Sequence, residues 1–139
     1  MAVKSISFQI STKGRTDILD ITNKVQEEVS ASEIKNGTAT LFVPGSTAGV
    51  TTIEYESGAL MDLKRALERL APEEIHYDHD SRWGDGNGFS HVRAALVGAS
   101  FSVPFNDRRL LLGTWQQIVI IDFDNRPRSR NVLIQIVGN

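Results

Sequence analysis

The second half of the chain is dominated by short apolar segments that are rich in β-branched and aromatic residues. Glycine- and asparagine-containing turns separate these segments. The pattern predicts five strands, at Val92–Val97, Phe101–Val103, Leu110–Leu112, Trp115–Phe123 and Val132–Val137. A run of strands in succession favours a largely antiparallel sheet over a parallel βαβ fold.

The first half predicts two helices among three further strands. Apolar residues alternate over Val3–Ile10, which is typical of a half-buried strand, and two more apolar segments at Thr38–Val43 and Gly49–Tyr55 flank a small-residue turn. Helical spacing begins at Ile18 and continues through Val29, with an end near Asn36. The second helix spans Ser57–Leu70, and its leucines at positions 60, 63, 67 and 70 form one stripe toward the core.

Length and composition limit the class of protein. With 139 residues, 40% of them apolar, the chain predicts one α+β domain over residues 1–139, with two main helices and a β-sandwich-like antiparallel sheet. The net charge of −2 gives no electrostatic reason to expect nucleic acid or an acidic membrane as a partner. There is no cysteine, and no apolar run has the length of a signal peptide core or a membrane span. A cytoplasmic protein is the default expectation.

All three histidines lie in the segment from His76 to His91, which reads HYDHDSRWGDGNGFSH. Imidazole nitrogens and carboxylate oxygens are ligands of divalent metals, and glycines allow a loop to bring separated ligands together. The alternative is a solvated polar loop, because the spacing matches no standard zinc motif. If the segment is a metal site, the imidazoles of His79 and His91 must lie within roughly 8 Å of each other.

Two features around the predicted strand pair have candidate roles in ligand binding. Gly45-Ser46-Thr47-Ala48-Gly49 offers backbone N–H groups and two hydroxyls to an anion such as phosphate, although turn statistics favour an ordinary tight β connection. Glu54 and Glu56 share a face of the strand that follows. Each can act as a base or a ligand, and solvation is the alternative.

Three arginines alternate near the C-terminal strand, at positions 126, 128 and 130. In an extended segment all three would point the same way and could clamp a phosphate, since guanidinium groups bind phosphate in a bidentate manner. Charge pairing with Asp122 and Asp124 is the competing explanation. Farther upstream, Gln116 follows Trp115 at the start of an apolar strand, where its amide needs a partner, and a ligand is one candidate.

The segments GSTAGVTTIEYE, WGDGNGFSH, LLLGTWQQIVIIDFD and RPRSR occur in an order that resembles the YjbQ-like family of secondary thiamine-phosphate synthase enzymes. The resemblance spans nearly the whole chain, and LGTWQ is its most distinctive motif. It implies a compact α+β domain with a β-sandwich-like sheet. It also implies a homotrimer with sites near the subunit boundaries.

The resemblance further implies a site that draws on three histidines, two of which match His79 and His91. Gly45 stands where many members have the first histidine, and Phe89 stands where close relatives are expected to have another. Asp80, Asp85, Glu54 or water would then complete a metal site for zinc or magnesium, with weak affinity. The residues assigned to the site are His79, His91 and Glu54 for catalysis, with Asp85 joining the two histidines for metal, and Ser46, Thr47, Asn87, Ser90, Gln116, Arg126, Arg128 and Arg130 for ligand binding.

Three functions follow from these assignments. The first is the reaction that the resemblance implies, which joins a pyrimidine pyrophosphate to a thiazole phosphate and releases pyrophosphate. The second is a metal-assisted phosphatase that uses water as the acceptor. The third is a trimer that binds a phosphorylated ligand without turnover, which the glycine at position 45 favours. Arginines and a divalent cation would serve the first two by taking up the charge of the leaving group.

Overall fold

Two antiparallel sheets and four helices form the structure, a computed structural model that describes residues 1–139. In chain order the elements are β1 (Ala2–Thr12), β2 (Asp17–Asp20), α1 (Thr22–Ala31), β3 (Gly37–Phe42), β4 (Ala48–Ile53), α2 (Ser57–Leu70), α3 (Asp78–Trp83), α4 (Gly88–Val97), β5 (Ser100–Asn106), β6 (Arg109–Leu110), β7 (Gln117–Asp122) and β8 (Arg128–Gly138). The larger sheet has the order β1-β8-β3-β5-β6, and the smaller has the order β2-β7-β4. The predicted α+β class with an antiparallel sheet is confirmed.

The larger sheet depends on the long pairing of β1 with β8, from Ala2 opposite Gly138 to Thr12 opposite Arg128. Along β8, alternate side chains are buried in the core and those between them lie on the outer face. The inward set includes Val132, Ile134 and Ile136. The strict alternation shows that one face of this sheet packs on the core and the other faces solvent.

The smaller sheet is covered on both faces, which explains the continuous apolar sequence of β7. Ile118 and Ile120 belong to the large core cluster shared with the larger sheet and α1. Val119 and Ile121 point the other way, into a second cluster that contains Leu67 of α2 and Ala94 of α4. A strand that is buried on both faces loses the alternating pattern, because apolar side chains are needed on both faces. The fold therefore has three layers, which are the larger sheet, the smaller sheet, and the helices α2 and α4.

The second helix was predicted correctly and the first only in part. α2 has the predicted bounds, and the Glu56 carboxylate caps its N-terminus by accepting from the backbone N–H groups of Gly58 and Ala59. In the first predicted helix, Ile18 belongs to the short strand β2, which pairs with β7. Helix α1 begins only at Thr22. Strand pairing outweighs the helical spacing here, since four residues carry too little periodicity to distinguish the two.

Two expectations for the middle of the chain were wrong. The predicted strand Val92–Val97 is the second half of α4, and the histidine-rich segment contains α3 and the start of α4 in place of an open loop. In α4 the buried residues include Phe89, Arg93 and Ala94, which share a helical face. A short apolar run does not by itself distinguish a strand from a buried helix. No helix is both long and apolar enough to cross a membrane.

The smaller sheet has two ends that matter for function. At one end Ala48 of β4 lies opposite Asp122 of β7, and at the other Ile53 lies opposite Gln117. We call the first the histidine end, because His79 and His91 lie beside it, and the second the tryptophan end, because Trp115 precedes β7 there. β4 has six residues, so about 17 Å separates the two ends at about 3.3 Å per residue.

Candidate functional site

His79 and His91 converge, as predicted, although different helices carry them. Their ring centroids are 4.2 Å apart and the rings are tilted by 41°. Gly88 permits the close approach of α3 and α4, because a Cβ there would lie 2.4 Å from the Cβ of Tyr77. The Gly88 N–H also donates to Asp80 Oδ1 over 2.8 Å, which ties the start of α4 to α3. The third histidine, His76, is exposed and bonds Ser81, outside this pair.

The side chain of His79 has a nitrogen with no protein partner. Its Nδ1 atom is buried without a hydrogen bond and lies 3.4 Å from Asp85 Oδ1 and 3.8 Å from Asp80 Oδ1. One ligand atom from each of these three residues fits within a 4.8 Å group. An imidazole nitrogen with two carboxylate oxygens is a donor set that suits zinc and, with more water, magnesium. The residues present therefore fit a divalent cation held by His79, Asp80 and Asp85, and the His91 ring lies beside that of His79.

Burial lowers the pKa of His91, and the neighbouring His79 lowers it further. The carboxylates of Asp85, Asp124 and Asp80 act in the opposite direction and do not outweigh these two effects. A lowered pKa keeps the imidazole neutral at physiological pH. Neutral His91 can act either as a metal ligand or as a proton acceptor.

Asp124, just after β7, is the buried carboxylate of this region. Burial alone would raise its pKa, but hydrogen bonds from Thr47 and Arg128, together with the nearby Asn87 side chain, outweigh burial and lower it. Thr47 Oγ1 donates to its Oδ2 atom over 3.0 Å, while the Oδ1 atom is buried without any partner. An ionised carboxylate with one free buried oxygen therefore lies beside the histidine pair.

The arginine trio divides into three different environments. Arg130 is buried and donates to both carboxylate oxygens of Asp122, over 2.7 and 2.9 Å. These bonds raise its pKa. Arg128 is half-buried and pairs with Asp124. Arg126 precedes β8 and is exposed, so the expected extended segment of three begins only at Arg128. The charge pairing with Asp122 and Asp124 that the sequence allowed is present for two of the three.

Asn87 and Ser90 have structural partners. Both are buried, and the Ser90 hydroxyl bonds the backbone and side-chain oxygens of Asn87. Asn87 Oδ1 accepts from the Asn125 N–H over 3.1 Å. These contacts join the start of α4 to the turn before β8, which places His91 next to Asp124. Asn87 and Ser90, which were assigned to ligand binding, therefore help to position the residues of the site.

An open groove of about 360 Å³ leads to His91. Gly45 and Ser46 line it, together with small residues of β4, of α4 and of the turn after α4. Gly45 has a φ of +138°, and a Cβ there would lie 3.1 Å from Arg130 Nη1. A histidine at position 45 would strain this backbone conformation and press on the arginine. Gly45 is therefore required by the local backbone conformation of the groove and by the space beside Arg130.

Glu54 and Gln116 lie at the tryptophan end, away from the histidines. Exposed Glu54 lines a separate pocket with Tyr55 and Trp115. The Gln116 amide has protein partners, since it accepts from the Gly113 N–H and donates to the Thr52 hydroxyl. Glu54 directly follows β4 at the tryptophan end, so the length of this strand separates it from the histidine pair at the other end. The expected catalytic grouping of Glu54 with His79 and His91 does not form.

Two site features were not expected from the sequence. Asp124 was considered only as a partner of the arginines, and its signal was the Asp-x-Asp pattern at the end of an apolar strand. Phe89, which stands where a histidine was expected, is buried against Arg93, whose guanidinium lies 5.0 Å from its ring centroid. Phe89 therefore contributes packing to α4 and no donor to the site.

The fold and the site define a two-sheet α+β domain with a histidine–carboxylate pocket at one end of the smaller sheet. The family model described as UPF0047 protein YjbQ-like matches residues 6–139. The chain belongs to the YjbQ-like family, as the resemblance of its motifs predicted.

Individual relatives and solved structures agree with this membership. UPF0047 proteins from Methanocaldococcus jannaschii and Bacillus subtilis are each 35% identical over 133 residues, which is 95% of this chain and 93% and 98% of theirs. A YbjQ-like protein from Sulfolobus solfataricus P2 superimposes with a TM-score of 0.89 at 28% identity, covering 99% of this chain and 100% of that one. For a YjbQ/UPF0047 family protein from Clostridium acetobutylicum the TM-score is 0.86 at 32% identity, with 95% and 99% covered.

Proposed function

We propose that this chain is a metal-dependent enzyme that joins a pyrimidine pyrophosphate to a thiazole phosphate and releases pyrophosphate. In this reaction the thiazole nitrogen forms a bond to the pyrimidine's methylene carbon while the carbon–oxygen bond to pyrophosphate breaks. The observation that carries the proposal is the convergence of His79 and His91 beside Asp80 and Asp85, with one buried imidazole nitrogen unpaired. The leaving pyrophosphate takes the electron pair, so stabilising its charge is the main catalytic task.

The chain's own groups have separate tasks in this proposal. His79, Asp80, Asp85 and His91 would hold a zinc or magnesium ion, which supplies charge neutralisation for pyrophosphate when bound. Ser46 lines the groove that leads to His91 and is available to contact substrate. Arg126 and Arg128 lie at the solvent side of the Asp124 region and can contact a second phosphate. We place this activity in a homotrimer, as the motif resemblance implies, and in the cytoplasm, which is the default expectation from the sequence.

The test combines both substrates with the purified protein and follows thiamine phosphate and pyrophosphate by mass spectrometry. We expect equal amounts of the two products, dependence on added zinc or magnesium, and loss of product with chelator. His79→Ala should remove the activity, while Glu54→Gln, at the tryptophan end, should retain it. Absence of thiamine phosphate with metal bound in stoichiometric amount would disprove the transferase.

A metal-assisted phosphatase is the second candidate function. The observation that favours it is that neutral His91 borders an open groove, where it can accept a proton from water. This enzyme would release inorganic phosphate from the pyrimidine pyrophosphate alone. The transferase needs the thiazole phosphate as well, so omission of that substrate separates the two.

Binding without turnover is the third candidate, and Gly45 is the observation that favours it. A site without the first histidine has fewer metal ligands, which predicts weak zinc binding after ordinary purification. A binder would retain thiamine phosphate in equilibrium dialysis and form no product from either substrate. Zinc that remains bound in stoichiometric amount after chelator treatment would count against this candidate.

A further inference from the structure

The connection between β3 and β4 carries backbone donors that the protein does not use. The N–H groups of Gly45, Ser46 and Thr47 make no hydrogen bond to backbone or side-chain atoms. Gly45 and Ser46 are exposed, but Thr47 is only 6% exposed. Buried N–H groups in folded proteins are almost always paired. The loop therefore offers three consecutive donors, one of them on a buried residue.

Arg130 provides a side-chain donor to the same loop. Its residue is 9% exposed, and its Nε and Nη2 atoms make all of its hydrogen bonds, to Asp122 and Thr47. The remaining nitrogen, Nη1, lies 3.1 Å from the position that a Cβ on Gly45 would occupy. Because Gly45 has no side chain, this space stays open between the guanidinium and the groove. Nη1 is thus an unpaired donor of a nine-tenths buried side chain, directed at the loop.

All of these groups are donors, which selects an anion as the ligand. Oxygen atoms of a phosphate accept several hydrogen bonds at once, and successive backbone N–H groups form the concave sites that bind such anions. Asp122 offsets much of the charge of Arg130, and Asp124 lies close by. A cation bound near His79 and His91, beside the groove, would add to the attraction for a doubly charged phosphate.

We propose that the N–H groups of residues 45–47 and Arg130 Nη1 form a cradle for a phosphate group at the end of the groove beside His91. Assigning that phosphate to the substrate's pyrophosphate rests on the proposed function. The cradle itself rests only on the unpaired donors. The glycine at position 45 then has a role of its own, because it leaves the arginine accessible to the anion.

The test follows the backbone amides of the 15N-labelled full chain by NMR during titration with inorganic pyrophosphate, with and without magnesium. We expect the largest shift changes at Gly45, Ser46 and Thr47, and tighter binding with magnesium. No change at these three amides, or changes centred on exposed Arg108 and Arg109, would overturn the proposal. This measurement on the unmodified protein needs no variant and decides the matter even if a variant fails to fold.

A pair of glycine variants sharpens the test. Gly45→Ala places a methyl group beside Arg130 Nη1, and we expect pyrophosphate binding to weaken about 10-fold. Gly113→Ala is the matched control, since its Cβ would meet nothing closer than 3.6 Å, and it should bind like the parent. A folded Gly45→Ala protein with unchanged affinity would contradict the cradle. Anion binding at the loop without any turnover would instead refute the proposed enzyme and leave the cradle standing.

Discussion

The two ends of the smaller sheet both carry exposed polar and aromatic residues, yet they differ in how their polar atoms are paired. At the tryptophan end Glu56 caps α2, the Tyr55 hydroxyl donates to the Ile18 carbonyl, and Gln116 bonds Gly113 and Thr52. At the histidine end lie His79 Nδ1 and Asp124 Oδ1, the two buried side-chain atoms of the chain without a partner. Since unpaired buried polar atoms are costly, they favour the histidine end as the location of the proposed ligand site.

The largest expected effect concerns the ion pair beneath the histidine end. Arg130 and Asp122 are 10% and 0% exposed at the side chain. Asp122→Ala would leave a buried guanidinium without its partner, and we expect a loss of about 3–5 kcal/mol in the free energy of unfolding. Urea denaturation measures this. Lys24→Gln, which removes an exposed pair with Glu28, should lower the stability far less, because water screens that pair. Equal losses in the two variants would contradict the assignment.

The next largest expected effect is on zinc affinity, which should depend on the histidine end and not on the tryptophan end. His79→Ala should weaken zinc binding by more than about 100-fold, because removing a direct ligand exceeds the loss typical of an outer partner. Asp85→Asn should weaken it less, since the residue is exposed and water can replace it. Calorimetric titration with zinc measures both. Glu54→Gln is the control at the tryptophan end, and a comparable loss there would erase the contrast between the two ends.

Arg128 tests whether the arginines serve a ligand in addition to the fold. Arg128→Gln keeps much of the stem and should cost about 1.5–3 kcal/mol in binding of pyrophosphate. Its side chain is 36% exposed but that of Asp124 is only 1% exposed, so losing this charged hydrogen bond should also cost about 1–3 kcal/mol of stability. Affinity and melting temperature are measured on the same sample. A lower melting temperature with unchanged affinity would assign the residue to structure alone.

Gln116 tests the claim that the tryptophan end is already satisfied. Gln116→Ala removes two hydrogen bonds, to Gly113 and Thr52, and should cost about 1 kcal/mol of stability for the pair. We expect no change in zinc or pyrophosphate affinity. Reduced ligand affinity in a stable Gln116→Ala protein would move part of the site to this end.

The smallest effect is a pH dependence at the tryptophan end. Hydrogen bonds from the N–H groups of Gly58 and Ala59 lower the pKa of Glu56. A carboxyl group with a lowered pKa stabilises the fold above its unfolded pKa, and this contribution disappears as the pH falls through the folded value. Thermal melts from pH 7 down to pH 3 should therefore show a smaller acid-induced decrease for Glu56→Gln than for the parent. Parallel curves would show that the cap carries no charge effect.

Much of the fold could be predicted because its signals are local. The alternation of β1 and the leucine spacing of α2 gave the correct elements, although Leu70 at the end of that stripe is 70% exposed. The prediction failed for Val92–Val97, where a short apolar segment is compatible with both periods. It failed for β2 because pairing with β7, far along the chain, holds those four residues extended.

Within the candidate site, only the grouping of residues that are close together in sequence could be predicted. His79 and His91 share a segment of sequence with several aspartates, and that composition predicted either a metal site or a solvated polar loop. The grouping of Thr47 with Arg130, 83 residues apart, could not be read from the chain. Neither could the separation of Glu54 from the histidines, since it depends on the direction of β4.

By itself the sequence determined the periods of β1 and α2 and several turn positions, because these depend on contacts between near neighbours along the chain. It also determined which segment holds the imidazoles. Only the tertiary structure decided that Asp124 lies beside His91, that Arg130 keeps one nitrogen free, and that Gln116 is already satisfied. Pairing of polar atoms is decided by strand register and by the packing of α4 on the smaller sheet. Those arrangements bring together residues whose separation in sequence carries no local signal.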